Sequence, residues 1–489
     1  MQGDPFDQRY AEALQVGECP NWVETREVPW ETKGGDGDHV VLLLSDTQWA
    51  PACKTRYERD IRKLITREAV QRCSQVEIQW DPEVSVLRFH SVLLWRDGQS
   101  RSFCDRNRML LRQRESGLES QILNGRMSAI ILLDDVRVGD VVEVSYTVET
   151  VKFLEGEKFD FFFWSERWAV TGRWAVSVRL PSGTDFRWKG KDEDKPYTTM
   201  KDGELVRYWE GSQKTSKEGE EGVPSWHSMA RYVQVSGYGS WQEVAKVVSM
   251  NWAKLNLEDE AVLSQVRELV EGKETLSQKA LALVRWVQDE VRYLGLEDGL
   301  GGLIPSEPAK VLARRFGDCK DKSVLLCALL RGIGVKAHPV LVHTAFKHTV
   351  ESMLPGLAAF NHVIIRCEMD GEHIFLDPTH VGQGGLLEEI SVVPYGIGLL
   401  LWGDEADDVL VQVKNHNEEY CSLLVQEDIQ IDGGKGFSYV DWRIEACGSE
   451  ADMMRAHLVR LGGETFAKRE AEEMRSHFPD AHSTGICVV

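Results

Sequence analysis

The run Arg315-Phe316-Gly317-Asp318-Cys319-Lys320-Asp321-Lys322 constrains this chain more than any other stretch. It sets a cysteine at the first turn of an apolar helix expected over 323–330. A thiol there faces the unpaired N–H groups and the positive end of the helix dipole, which favour the thiolate, the nucleophilic form. Farther along, Asn361-His362 opens an alternating apolar segment, and Leu376-Asp377-Pro378-Thr379 closes the next. A cysteine, a histidine to take its proton and an acid to orient the histidine make a nucleophilic constellation.

Each member has a plainer reading. A lone cysteine is more often buried packing than a nucleophile. The polar neighbours Asp318, Lys320, Asp321 and Lys322 set Cys319 apart, and Cys327, on the same helix among leucines, reads as core. His362 competes with His343, His348, His373 and His380, and is preferred because it starts an apolar strand at what should be the rim of a sheet. Asp377 before a proline could be an ordinary Asx turn. A metal cluster of these histidines with Cys367 is the chemical rival, but no pair has zinc-site spacing, so no metal is expected. The Gly299–Gly302 stretch lacks the Lys-Ser/Thr of a phosphate loop, and no cofactor is implied.

The three motifs, Gly-Asp-Cys-Lys-Asp-Lys, Phe-Asn-His-Val-Ile and Leu-Asp-Pro-Thr, resemble those of the transglutaminase-like superfamily. The likeness is to its bacterial branch, in which a large β-rich module of unknown function precedes the core. Trp80-Asp81-Pro82 through Phe89-His90, Leu110 to Gln113 and Asp135 to Asp140 look like landmarks of that module, and Arg292 to Glu297 like the segment before the nucleophile. The resemblance implies a papain-like core with Cys319, His362 and Asp377 as its triad. It also implies acyl transfer or hydrolysis on peptide or carboxamide bonds through a thioester, with a peptide or protein substrate. One departure matters: Leu303 and Ile304 stand where many relatives carry an aromatic or histidine and then a polar residue. That departure keeps a second function open, a non-catalytic binding or assembly protein working through its β modules.

The fold expected is multidomain α+β: an N-terminal antiparallel, sandwich-like β module over 1–235, a transglutaminase-like core over 236–400, and a partial C-terminal β subdomain with a helix over 401–489. Period-two alternation such as Val76–Trp80, Val84–Phe89 and Val141–Tyr146 supports the first. Three- and four-residue spacing over 241–252, 259–270 and 276–291 supports helices opening the second. Strands at 420–431 and 436–444 flank a turn at Asp432-Gly433-Gly434, followed by a helix over 451–477 broken at Gly462-Gly463.

Composition adds exclusions. The 489 residues carry a formal charge of −21, which repels phosphate backbones, so no nucleic-acid partner is expected. No stretch approaches the roughly 18 apolar residues of a membrane span. Ten cysteines spread singly fit isolated thiols better than a disulfide framework. The polar N-terminus has no basic and apolar leader, so the chain reads as cytoplasmic as written, or exported if it is a mature form. The C-terminal subdomain is expected to be incomplete, with residues 480–489 poorly packed.

Overall fold

The computed structural model describes residues 10–477 apart from 36, 114–121, 124, 168, 191–194, 215–221, 225, 227–230, 297–298, 404–407, 416–421 and 432–437. The turn at 432–434 and the tail at 480–489 therefore lie outside the described residues.

Alternating strands in the N-terminal half build one large sheet and two small ones. Across the large sheet run Leu14–Val16, Ser85–Arg96, Val141–Thr150, Thr55–Leu64, Val40–Ala50, Thr171–Pro181, Glu204–Gln213 and Tyr197–Lys201, with Gln99–Ser102 paired to Ser85–Arg96. Most pairs are antiparallel, as hairpin connections favour, but Val40–Ala50 and Thr171–Pro181 run parallel. A small sheet of Gln75–Trp80, Met127–Leu132 and Met109–Gln113 buries Trp80, Met127 and Ile131 against Leu87, Phe89 and Val144 of the large one. A second, of Asp160–Trp164, Tyr232–Ser236 and Arg187–Lys189, buries Phe161, Phe163, Val233 and Val235 against Trp174, Val176 and Trp209. The result is the expected sandwich-like β region. One helix interrupts it, α1 (Arg67–Cys73), capped by Thr66, whose side chain accepts from the Ala69 N–H.

From Trp241 the period changes and helices follow: α2 (Trp241–Trp252), α3 (Glu260–Leu269), α4 (Leu276–Glu290), α5 (Pro308–Arg314) and α6 (Cys319–Arg331). Ser240, Asp259 and Thr275 cap the first three, as their short acceptors suit. Then comes a five-stranded antiparallel sheet in the order Glu372–Leu376, His362–Met369, Ala337–Val342, Gly396–Leu400, Leu410–Val413. Helix α6 is buried from Cys319 to Leu330: Leu325 to Leu330 are all fully buried, clustering with Ala337, Ile365, Cys367 and Leu376. This is the α+β plan expected, with the cysteine's helix lying on the strands that carry His362 and lead to Asp377.

Beyond the core, Ser422–Ile431 pairs only with Ser438–Cys447 among the described strands, and α7 (Ser449–Leu461) and α8 (Gly463–His477) follow. Leu423, Val425 and Ile429 share one face of this hairpin and are largely exposed. Among the described residues, no helix is long and apolar enough to cross a membrane.

Candidate active site

Cys319 occupies the first position of α6, and the sequence around it explains why the helix starts there. Asp318 is the N-cap: its Oδ1 accepts from the N–H groups of Lys320 at 2.8 Å and Asp321 at 3.0 Å. Asp321 reaches back to the Asp318 N–H, completing a capping box. The Lys320 Nζ donates to Asp318 Oδ2 at 2.5 Å, and Arg314 pairs with Asp321, so both capping carboxylates are matched by cations. Gly317 is needed for contact: a Cβ there would lie 2.5 Å from the Asp321 Cβ. The approach is pinned from outside by Arg292 N–H to Arg315 O at 2.9 Å and Leu294 N–H to Gly317 O at 3.0 Å.

His362 is the first residue of its strand and pairs with Val342. Asp377 follows directly on the strand Glu372–Leu376 and is fully buried. The His362 Nε2 lies 2.9 Å from Asp377 Oδ2. After Asp377, Cys319 is the group that most favours the charged form of the His362 ring. The fold thus gathers all three residues singled out in the sequence, with the histidine in the middle. Ser323 ties the parts together, its Oγ donating to the Val363 carbonyl at 3.1 Å.

The electrostatics of the pair are consistent from both sides. For Asp377, burial alone would raise the carboxyl; the charge and hydrogen bond of His362, with help from His380 and Thr379, reverse this and hold it well below the usual carboxylate range. For His362, burial works against the imidazolium, but Asp377 first and Cys319 second outweigh it and raise the ring above its ordinary value. The competing histidines sit elsewhere. His343 Nδ1 accepts from the Ala345 and Phe346 amides, and burial lowers its ring to about 4. His380 stays 3.7 Å from Asp377 Oδ2, a flanking ring rather than the bonded one. Cys327 is fully buried, and burial raises its thiol.

Four residues not singled out by sequence reading complete the surroundings. Tyr395 donates its hydroxyl to Asp377 Oδ2 at 2.8 Å. Thr379 donates to Oδ1 through its N–H at 2.9 Å and its hydroxyl at 2.7 Å. Gln288 of α4 donates its side-chain amide to the Asp377 carbonyl at 2.9 Å and to Gln383 Oε1 at 2.7 Å. Lys322, one turn beyond Cys319 and fully buried, donates to the carbonyls of Val291 at 2.6 Å and Gln288 at 3.2 Å. Burial lowers its ammonium to about 8, against the pull of Asp377 and Asp289. Gln288 and Lys322 therefore lock the nucleophile's helix and the acid's strand end to the same helix terminus, where α4 would otherwise leave its last carbonyls unpaired. Thr379 and Lys322 lay within recognised motifs, though without these roles; Tyr395 and Gln288 lie outside them.

Comparison with known proteins gives the family and the fold. Residues 264–378 match the family model described as the transglutaminase-like superfamily. This stretch is a transglutaminase-like domain. Residues 52–216, ahead of the transglutaminase-like domain, match a model described as a domain of unknown function with solved structure, DUF3857. Among solved structures, one described as a "putative protease" from Parabacteroides distasonis ATCC 8503 is similar, with a TM-score of 0.62 at 12% identity over 86% of this chain and 96% of that one. The likeness is of fold, spanning the β region and the transglutaminase-like domain together. A second, described as a "putative cysteine protease" from Cytophaga hutchinsonii, matches at a TM-score of 0.23 and 12% identity over 59% of this chain and 84% of that one, too low a similarity to bear on the fold. No curated protein matches the chain.

Proposed function

We propose that the protein is a cysteine-dependent acyltransferase or amidohydrolase acting on peptide or carboxamide bonds, with Cys319, His362 and Asp377 as its triad. One observation carries the reading: a fully buried carboxylate bonded to a histidine whose charged form is favoured by that carboxylate and by a cysteine at a helix start.

In the first half-reaction the Cys319 proton passes to His362 Nδ1 while the sulfur attacks the substrate carbonyl carbon. Asp377, bonded to Nε2, holds the ring in place and stabilises the imidazolium. Charge develops on the carbonyl oxygen. Since Asp318 already engages the Lys320 and Asp321 amides, the Cys319 N–H is the first-turn donor available to it among the described residues. The C–N bond breaks, His362 gives its proton to the leaving amine, and a thioester remains. Water or a second amine, deprotonated by His362, then attacks the thioester and releases the sulfur. Ile304 packs among the apolar residues around Cys319, so this loop offers an apolar side chain where the sequence departs from its relatives.

The test is a panel of peptide and glutamine-type donors, with and without a primary amine, read by mass spectrometry for hydrolysis and amine incorporation. The parent should turn over at least one donor, and Cys319→Ala should abolish turnover with a melt close to the parent's, because the change removes a single sulfur atom. Full activity in Cys319→Ala would overturn the assignment. A silent panel together with an unreactive Cys319 would put the non-catalytic binding reading in its place.

A further inference from the structure

The small sheet of Asp160–Trp164, Tyr232–Ser236 and Arg187–Lys189 does more than close the β region. Each strand sends a polar side chain to one loop of the transglutaminase-like domain, residues 352–358, which leads into His362. Gln234 grips Leu354 in both directions: its Nε2 donates to the Leu354 carbonyl at 2.8 Å, and its Oε1 accepts from the Leu354 N–H at 2.7 Å. Ser236 Oγ donates to the Pro355 carbonyl at 2.5 Å. Asp160 Oδ2 accepts from the Ala358 N–H at 2.7 Å, and its carboxylate also takes the Leu357 N–H. Lys189 donates to the Ser352 carbonyl.

Two further features show that this contact is specific. Gln234 and Ser236 are buried polar groups whose partners are the backbone of that loop. The Ser236 hydroxyl also accepts from the Tyr238 N–H at 3.0 Å, so a loop displaced by an ångström while still covering them would leave the Gln234 amide and the Ser236 donor without partners, which buried groups resist. Gly356 is pressed onto Asp160: a Cβ there would lie 2.5 Å from Oδ2 and 3.0 Å from the Asp160 Cβ. Past the anchored stretch, Phe360 packs edge-on against Trp241 at 5.6 Å, and His362 follows.

We propose that this three-stranded sheet is a dock that fixes the position of His362, so that the N-terminal β region acts as a clamp on the core, with Asp160 as a positioning residue. The inference rests on His362 being the base that serves Cys319. Asp160 touches no reacting atom in this scheme; it acts through the loop. The clamp makes the two regions a single working unit, since the base of one is held by the strands of the other.

The test uses the full chain with Asp160→Ala, Asp160→Asn and Gly356→Ala. Three quantities are measured: hydrogen exchange of the 354–361 amides, the NMR signals of the His362 imidazole, and the rate of Cys319 alkylation. Asp160→Ala should speed exchange across 354–361, shift the His362 signals and slow alkylation by about tenfold to about a hundredfold, the range a misplacement near 1 Å produces. Asp160→Asn keeps an acceptor oxygen and should recover most of the loss. Gly356→Ala should reproduce the Asp160→Ala pattern by pushing the carboxylate away, which guards against a folding artefact at Asp160. Unchanged exchange, or faster exchange with the His362 signals unmoved, overturns the clamp. If Cys319 is unreactive in the parent, the catalytic reading falls, while exchange and the His362 signals still decide the clamp.

Discussion

At Asp377 two opposing effects meet, and the sign of the outcome is measurable. Its depressed pKa means the carboxylate contributes stability present above its unfolded value of about 3.9 and lost as acid titrates it. His362, raised to about 10, contributes stability that is complete below about 6.5 and lost as pH climbs through the folded value. The pair is therefore fully worth its interaction only between about pH 4 and 6.5. Asp377→Asn should destabilise the protein there by about 3 kcal/mol, the order seen when one partner of a buried pair is removed. The difference should shrink towards pH 10 in melts taken across the range. A pH-independent difference would mean that the two groups are not paired as an ion pair. Reactivity gives a second reading at this scale. Cys19, Cys53 and Cys447 are exposed, whereas Cys319 is only 6% exposed. Access alone would make Cys319 the slowest of the four with iodoacetamide; an activated nucleophile should be the fastest despite its burial.

At the level of elements, much was legible where burial follows a period. Helix α2 spans the residues its spacing implied, and α3 and α4 differ from expectation by a residue or so at their ends. The cysteine's helix runs Cys319–Arg331, so the apolar stretch 323–330 continues from a first turn that holds Cys319, as expected. Its polar first turn reads as loop in a hydrophobicity pattern, but the capping box and the burial of Lys322 make it helical. Helix α1 escaped because seven residues with one buried side chain, Ala69, carry too little periodic signal. Cys319, His362 and Asp377 were legible because each sits in a local motif. Tyr395 and Gln288 were not, since their roles depend on strand order and helix packing that no short pattern encodes. The start of α6 is also where an element-scale change should be felt. Gly317→Ala puts a methyl group against Asp321 and should cost about 1–3 kcal/mol by overpacking. Because the strain falls on the capping box, it should also slow Cys319 alkylation. A melt matching the parent would show that the turn relaxes freely.

Across the whole molecule, stability should be uneven. Leu325 to Leu330 belong to the largest core cluster, while the Ser422–Ile431 and Ser438–Cys447 pair stands as a two-stranded sheet with Leu423, Val425 and Ile429 exposed. Isolated hairpins are marginal in water, and local opening follows local burial. Amides of 422–431 should exchange orders of magnitude faster than those of 324–330 in the intact protein; equal protection would mean that the hairpin is covered in solution. The dock for the 352–358 loop has a further consequence, which concerns time. Its strands precede that loop in the chain, and domains generally fold as units from the N-terminus during synthesis. The receiving surface is thus complete before the loop is made, whereas the thiol at Cys319 leaves the ribosome ahead of both His362 and Asp377. A growing chain carries Cys319 without His362, and the two are brought together only when the later-made 352–358 loop settles onto a surface already waiting for it.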